Sequence, residues 1–108
     1  MEQLPICLNL KDRTVIVTGG GQQAARRACT ALRAGARVTI IASAPDEALA
    51  EVLNQPNATI REGLLVDTDL DRAFIVFAAS ADAGDNERVC RLARARGILV
   101  SSENWEDC

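Results

Sequence analysis

The chain has 108 residues and a mass of 11.6 kDa, one domain's worth of protein, able to bury roughly two-thirds of its unfolded surface. With 48% apolar and 25% charged residues it is too apolar for disorder, and its longest apolar run, residues 73–79, falls far short of the ~20 residues of a membrane span. A formal charge of −3, a pI of about 4.9, no lysine-rich tail and only 3% aromatic residues argue against a nucleic-acid surface.

The elements alternate in type along the chain. Thr14-Val15-Ile16-Val17-Thr18 is a β-branched run ending in three glycines, the pattern of a buried strand meeting a tight turn. Residues 22–34 predict a helix with Ala25, Ala28, Cys29 and Leu32 on its apolar stripe, closed by Gly35. Residues 37–42 are a second β-branched strand. Ala44-Pro45-Asp46-Glu47 opens a helix whose apolar face is Leu49, Val52 and Leu53, broken by Asn54-Gln55-Pro56-Asn57. A weak strand over residues 58–61 leads into an acidic loop through Asp71. Residues 73–79 predict a central strand buried on both faces. The last helix runs over residues 83–96, with Asp82, Asp85 and Glu87 early and Arg91, Arg94 and Arg96 late, an order that suits the helix dipole. Gly97 ends it, and Ile98-Leu99-Val100 begins a final strand. Such alternation requires a parallel sheet with right-handed crossovers. The expected fold is a three-layer, Rossmann-type α/β domain with a roughly five-stranded sheet, a single domain over residues 1–108.

Charge and cysteine usage narrow the chemistry. Lys11, Arg13, Arg26, Arg27, Arg33 and Arg37 make residues 11–37 basic, whereas residues 46–71 carry seven acids against Arg61 alone, so a local field is expected. There is no histidine, hence no His-based general base, triad or metal ligand. Cys7, Cys29, Cys90 and Cys108 form no Cys-x-x-Cys pair, which excludes zinc ribbons and thioredoxin-like motifs, and no metal site is expected. Cys29 and Cys90 fall on apolar helix positions as small core residues, and Cys108 is a terminal thiol. With Glu2 and no basic stretch at the N-terminus, the expectation is a cytoplasmic, disulfide-free chain.

Gly19-Gly20-Gly21-Gln22-Gln23-Ala24 fits the G-x-G-x-x-A form of a dinucleotide-binding turn, placed directly after a strand and opening a helix. In that motif the first glycine permits the turn and the second lets backbone approach a pyrophosphate. The alanine allows close helix–sheet packing, and the helix N-terminus presents free N–H groups to the anion. The alternative is a glycine turn in an empty α/β domain. The acid expected about 20 residues on, for the ribose hydroxyls, is replaced by Ala42-Ser43-Ala44, with Asp46 the nearest acid and no arginine in its place. Ser43 can donate a weaker bond to a ribose, and the lack of a neighbouring arginine leans toward NAD over NADP.

Leu4-Pro5-Ile6, Leu10-Lys11-Asp12-Arg13, Val17-Thr18-Gly19-Gly20-Gly21 and Gly35-Ala36-Arg37-Val38-Thr39 together resemble the N-terminal domain of siroheme synthase and the stand-alone precorrin-2 dehydrogenase/sirohydrochlorin ferrochelatase family. Ala78-Ala79-Ser80-Ala81-Asp82, Asn86, Val89 and Arg96-Gly97-Ile98-Leu99-Val100 continue the match over nearly the whole chain. The resemblance implies NAD-dependent oxidation of precorrin-2 to sirohydrochlorin, with a tetrapyrrole as substrate. It places Gln22 and Gln23 at the pyrophosphate turn, Ser43 and Ala44 beside the adenosine ribose, and Ser80 on the nicotinamide side.

Two departures accompany the likeness. The family's Asn-Val-Val-Asp stretch, whose aspartate is implicated in dehydrogenation and chelation, corresponds here to Ser101, Ser102, Glu103 and Asn104. A carboxylate takes up a proton or draws in a metal and an amide does neither; losing a general base costs about 10²–10⁴-fold. Ferrochelatase activity is accordingly not expected. The family also continues into a dimerisation and substrate-binding region, whereas this sequence stops at Cys108, so that second domain is expected to be absent. Three readings stand open: a precorrin-2 dehydrogenase-type NAD domain, a non-catalytic dinucleotide-binding module, and an interaction subunit. The last would complete its cleft as a homodimer or with a separate partner chain, with Trp105 as the docking anchor.

Overall fold

The structure is a computed structural model and describes residues 4–102. Five strands, β1 (Thr14–Thr18), β2 (Arg37–Ala42), β3 (Ala58–Glu62), β4 (Ile75–Ala78) and β5 (Leu99–Ser102), form one sheet in the order β3-β2-β1-β4-β5. Every neighbouring pair is parallel. This is the Rossmann-type α/β architecture that the alternation of elements implies. Helix α1 (Gln22–Arg33) and the short α2 (Ala50–Leu53) cover one face, and α3 (Ala83–Ala95) covers the other.

The β1 sequence explains this two-sided packing. Successive side chains of a strand point to opposite faces. Val15 and Val17 pack with Ala24, Ala28 and Ala31 of α1, and Ile16 packs with Val89 and Ala93 of α3. Both faces are thus dry, and the run reads as continuously apolar. The chain steps from β1 to β2 in one direction and to β4 in the other, so the strand order reverses between β1 and β4. Crevices at the carboxyl ends of such strands are where open α/β sheets bind ligands.

Several elements differ from the sequence expectation. The buried face of α1 is Ala24, Ala28 and Ala31, with Ala25 and Leu32 only partly buried; the small residues win because they let the helix approach the sheet. The helix expected after Pro45 is a 3₁₀ turn, Glu47–Leu49, followed by the single turn of α2. Asp46 starts it by accepting from Ala48 N at 2.8 Å, and too few residues precede Pro56 for a longer helix. β4 begins at Ile75, because Ala73 N is still bonded to Leu70 O; it is an interior strand between β1 and β5 with buried residues on both faces, as its apolar run implies.

The acidic stretch between β3 and β4 is an ordered cover, with a 3₁₀ turn at Asp67–Leu70 and Leu65 and Leu70 buried beneath it. Arginines from outside the basic block hold it. Arg61 pairs with Asp69 and donates to Leu64 O, Arg96 pairs with Asp71 and donates to Asp67 O, and Arg88 bonds Leu65 O at 2.8 Å while pairing with Asp85. Arg61 and Arg96 work in exposed settings where ion pairs are worth little. Arg88 is half-buried and ties α3 to the cover through charge-assisted bonds. Arg88→Ala is expected to cost about 1.5–3 kcal/mol in denaturant unfolding, with little dependence on salt.

The disulfide-free expectation fails at Cys90. This residue is buried on α3, as a core position requires, but it is disulfide-bonded to a partner that is not among the described residues. Cys7 and Cys29 are free. Cys29 is only partly buried and lines a groove of about 460 Å³ between α1 and α2. Among the described residues no helix is long and apolar enough to cross a membrane, and no acidic–cysteine cluster could hold a metal ion.

Candidate functional site

The β1–α1 turn is shaped by what its glycines exclude. Gly19 sits at φ +117°, and a Cβ there would lie 2.5 Å from Ala79 O and 2.9 Å from Ser80 N. A Cβ on Gly20 would lie 2.4 Å from Ala44 O, because the segment after β2 crosses directly over the turn; Asp46 N donates to Gly20 O at 2.8 Å. Gly19 N donates in turn to Ile41 O. The first two glycines therefore serve the protein's own packing, one toward the end of β4 and the other toward the end of β2.

Gly21 is different. Its φ of −108° suits any residue, and a Cβ placed on it would meet nothing within 4 Å. It is the N-cap of α1 and offers no side-chain oxygen to the first-turn amides, nor does that turn carry an acid. The other helical starts near the site are closed by carboxylates: Asp82 accepts from Gly84 N and Asp85 N, and Asp46 accepts from Ala48 N. The long helix α1 thus begins with amides that have no intrahelical partner and with an open approach to them.

Around this turn lies a cleft of about 820 Å³ at the carboxyl ends of the strands. All the candidate cofactor residues line it: Gly19, Gly20 and Gly21 in the turn, Gln22 and Gln23 at the start of α1, Ser43 and Ala44 beyond β2, and Ser80 beyond β4. Asn104 lies outside the described residues, as do Glu103, Trp105 and Asp107.

The cleft also gathers residues that are far apart in the sequence. Arg26 and Asp46 both line it, so an arginine does come to the site even though none neighbours Ser43 in the sequence. Arg26 makes no ion pair among the described residues, whereas Arg88, on the opposite wall, is committed to Asp85 and Leu65 O. Ser80 is held by the fully buried Asn86, whose Oδ1 accepts from Ser80 N and whose Nδ2 donates to Ser80 O, each at 2.9 Å. Its hydroxyl accepts from Asp82 N. In the sequence Asn86 stands out only as part of a motif; nothing in its neighbours signals that it clamps the residue six positions earlier. Thr18, at the end of β1, lines the cleft, is 2% exposed, and its Oγ1 has no hydrogen-bond partner among the described residues.

These features fit an extended anionic ligand such as a dinucleotide. The space above Gly21 admits a pyrophosphate against the α1 amides. Polar groups of the β2 end, Ser43 and Asp46, lie to one side of the turn, and Ser80 lies to the other.

A family of sequences described as "Putative NAD(P)-binding" matches residues 6–107. The siroheme synthase of Nitrosococcus oceani is 36% identical over 108 residues, covering 100% of this chain and 22% of the relative. That of Acinetobacter baylyi is 38% identical over 103 residues, covering 94% and 22%. Among solved structures, SirC, a precorrin-2 dehydrogenase, superimposes with a TM-score of 0.76 at 26% identity, over 92% of this chain and 48% of its own. The chain spans about a fifth (22%) of the length of the siroheme synthases it matches.

Proposed function

Because the chain belongs to the NAD(P)-binding family represented in siroheme synthases and precorrin-2 dehydrogenases, we propose that it binds NAD and serves the oxidation of precorrin-2 to sirohydrochlorin. The observation that carries the cofactor part is the asymmetry of the three glycines. Gly19 and Gly20 are explained by the protein's own backbone, while Gly21 keeps clear a space that none of the described residues uses. A dinucleotide lying there would rest its pyrophosphate on the α1 amides and its adenosine ribose near Ser43 and Ala44. Its other half would run toward Ser80. NAD is favoured over NADP because the exposed Asp46 carboxylate stands at the ribose end of the cleft and opposes a 2′-phosphate. Arg26 lines the same cleft with the opposite sign, so a comparison of the two cofactors is the direct test.

When bound, NAD supplies the hydride acceptor. The chain's own contribution is to orient that acceptor and to offer Arg26 to a substrate rich in carboxylates. Arg26, unpaired among the described residues, makes a small basic wall for such a substrate, and on this reading a further segment, a second copy or a separate partner chain completes it.

Calorimetric titration of the folded protein is expected to show micromolar NAD binding and weaker NADP binding. No heat with either cofactor would overturn the cofactor reading, and tighter NADP would overturn the role given to Asp46.

A second reading, a dinucleotide-binding module without catalysis, draws on the cleft's carboxylates. Asp46, Asp82 and Asp85 are each engaged in a helix start or with Arg88, and Asn104 stands where the resemblance implies an aspartate. NAD binding without precorrin-2 turnover, unrescued by Asn104→Asp, would establish the module. Turnover that Asn104→Asp raises would establish the dehydrogenase.

A further inference from the structure

Among the described residues, one buried side-chain polar atom has no hydrogen-bond partner, Oγ1 of Thr18, and its residue lines the cleft. The residue pairs with Ile41 on β2 and Ala78 on β4, at the point where the strand order reverses. Alternation along β1 sets its side chain on the α3 side. Val15 and Val17 face α1, while Ile16 packs with Ile41, Ala78 and Leu65. Valine there would leave no unmet donor. A buried hydroxyl without a partner destabilises the folded state, and interiors rarely retain one without a reason.

We propose that Thr18 is a positioning residue for the half of the dinucleotide that lies toward β4 and α3, its hydroxyl bonding a polar group of the nicotinamide riboside. The inference rests on the cofactor reading and adds a residue to it. The adenosine half is accounted for at the β2 end by Ser43 and Ala44, and the pyrophosphate by the α1 amides. The remaining half must pass over the end of β1 to reach Ser80, and Thr18 lies beneath that path. Rotation of the threonine side chain between staggered rotamers would turn the oxygen to a ligand atom seated on the floor while the backbone stays fixed. The unmet bond of the free protein becomes a bond to the ligand, a local loss of stability retained for binding.

The test is Thr18→Val, read by thermal unfolding and by titration with NAD and with ADP, which lacks the nicotinamide riboside. The variant is expected to melt about 4 °C or more above the wild type in the absence of ligand. It should bind NAD about tenfold more weakly and ADP with unchanged affinity. Thr18→Ser, which keeps the hydroxyl and loses the methyl, is expected to melt lower than the wild type yet retain its NAD affinity. Unchanged NAD affinity in Thr18→Val would overturn the proposal while leaving the cofactor reading intact. Equal loss for NAD and ADP would overturn the assignment to the nicotinamide half. A wild type that binds neither ligand would overturn the cofactor reading and this proposal with it.

Discussion

Gly19→Ala should lower the melting temperature by more than about 8 °C, whereas Gly21→Ala should change it by less than about 5 °C and weaken NAD binding at least about tenfold. The first effect has two sources. A φ of +117° is a region that non-glycine residues occupy at a cost of about 1–3 kcal/mol. The added methyl also meets Ala79 O at 2.5 Å and Ala79 C at 2.8 Å, backbone atoms that move only if the β4–α3 corner moves. Overpacking of that kind adds about 1–3 kcal/mol. Together these remove a large part of the ~5–15 kcal/mol that typically holds a domain.

At Gly21 neither cost exists. Alanine is a poorer N-cap than glycine by a few tenths to about 1 kcal/mol, but it also removes freedom from the unfolded chain, and the two nearly offset. The methyl instead occupies the space above the α1 amides, where a pyrophosphate would lie. Melting curves and titrations of the two variants side by side therefore separate a glycine kept for folding from one kept for a ligand. Wild-type NAD affinity in Gly21→Ala would mean that the open space is not where the ligand sits.

The contrast also marks what the sequence could reveal. β1 and β2 were legible to the residue, since β-branched runs flanked by glycines leave few alternatives. The glycine motif located the turn, but it assigned close backbone approach to Gly21 and was silent on Gly20, whose constraint comes from Ala44 and Pro45 crossing above it. Such a crossing is a tertiary fact with no local signal. The same holds for the cover between β3 and β4. Its acids read as a solvated loop because Arg88 and Arg96, which hold it, lie 23 and 29 residues beyond the carbonyls they bind. Arg26 likewise joins Asp46 in the cleft only once α1 is packed against β2. Thr18 looked like the last β-branched residue of a strand; only burial without a partner sets it apart.

Asn86 yields the other large effect. Its amide closes a ring with the backbone of Ser80, and its side chain is wholly buried. Asn86→Ala leaves both Ser80 groups without their partner and opens a small void, a loss of about 2–4 kcal/mol. The consequence reaches the cleft, because Ser80 N and the Ala79 carbonyl form the wall against which Gly19 is packed. A loosened wall should weaken NAD binding as well as stability.

Asn86→Asp isolates the donor. A protonated carboxyl can accept from Ser80 N and donate to Ser80 O much as the amide does; an ionised one can only accept, and it places a charge where no solvent reaches. Burial would raise the folded-state pKa of the introduced Asp above its unfolded value of about 3.9. The folded state then holds the proton more tightly, and stability relative to wild type is lost as pH climbs from about 4 through that raised value. Denaturant unfolding at a series of pH values should show a deficit that is small near pH 4 and largest at neutral pH. A deficit equal at both ends would mean that the introduced carboxyl is not kept from solvent, and that the corner around Ser80 opens to water in the variant.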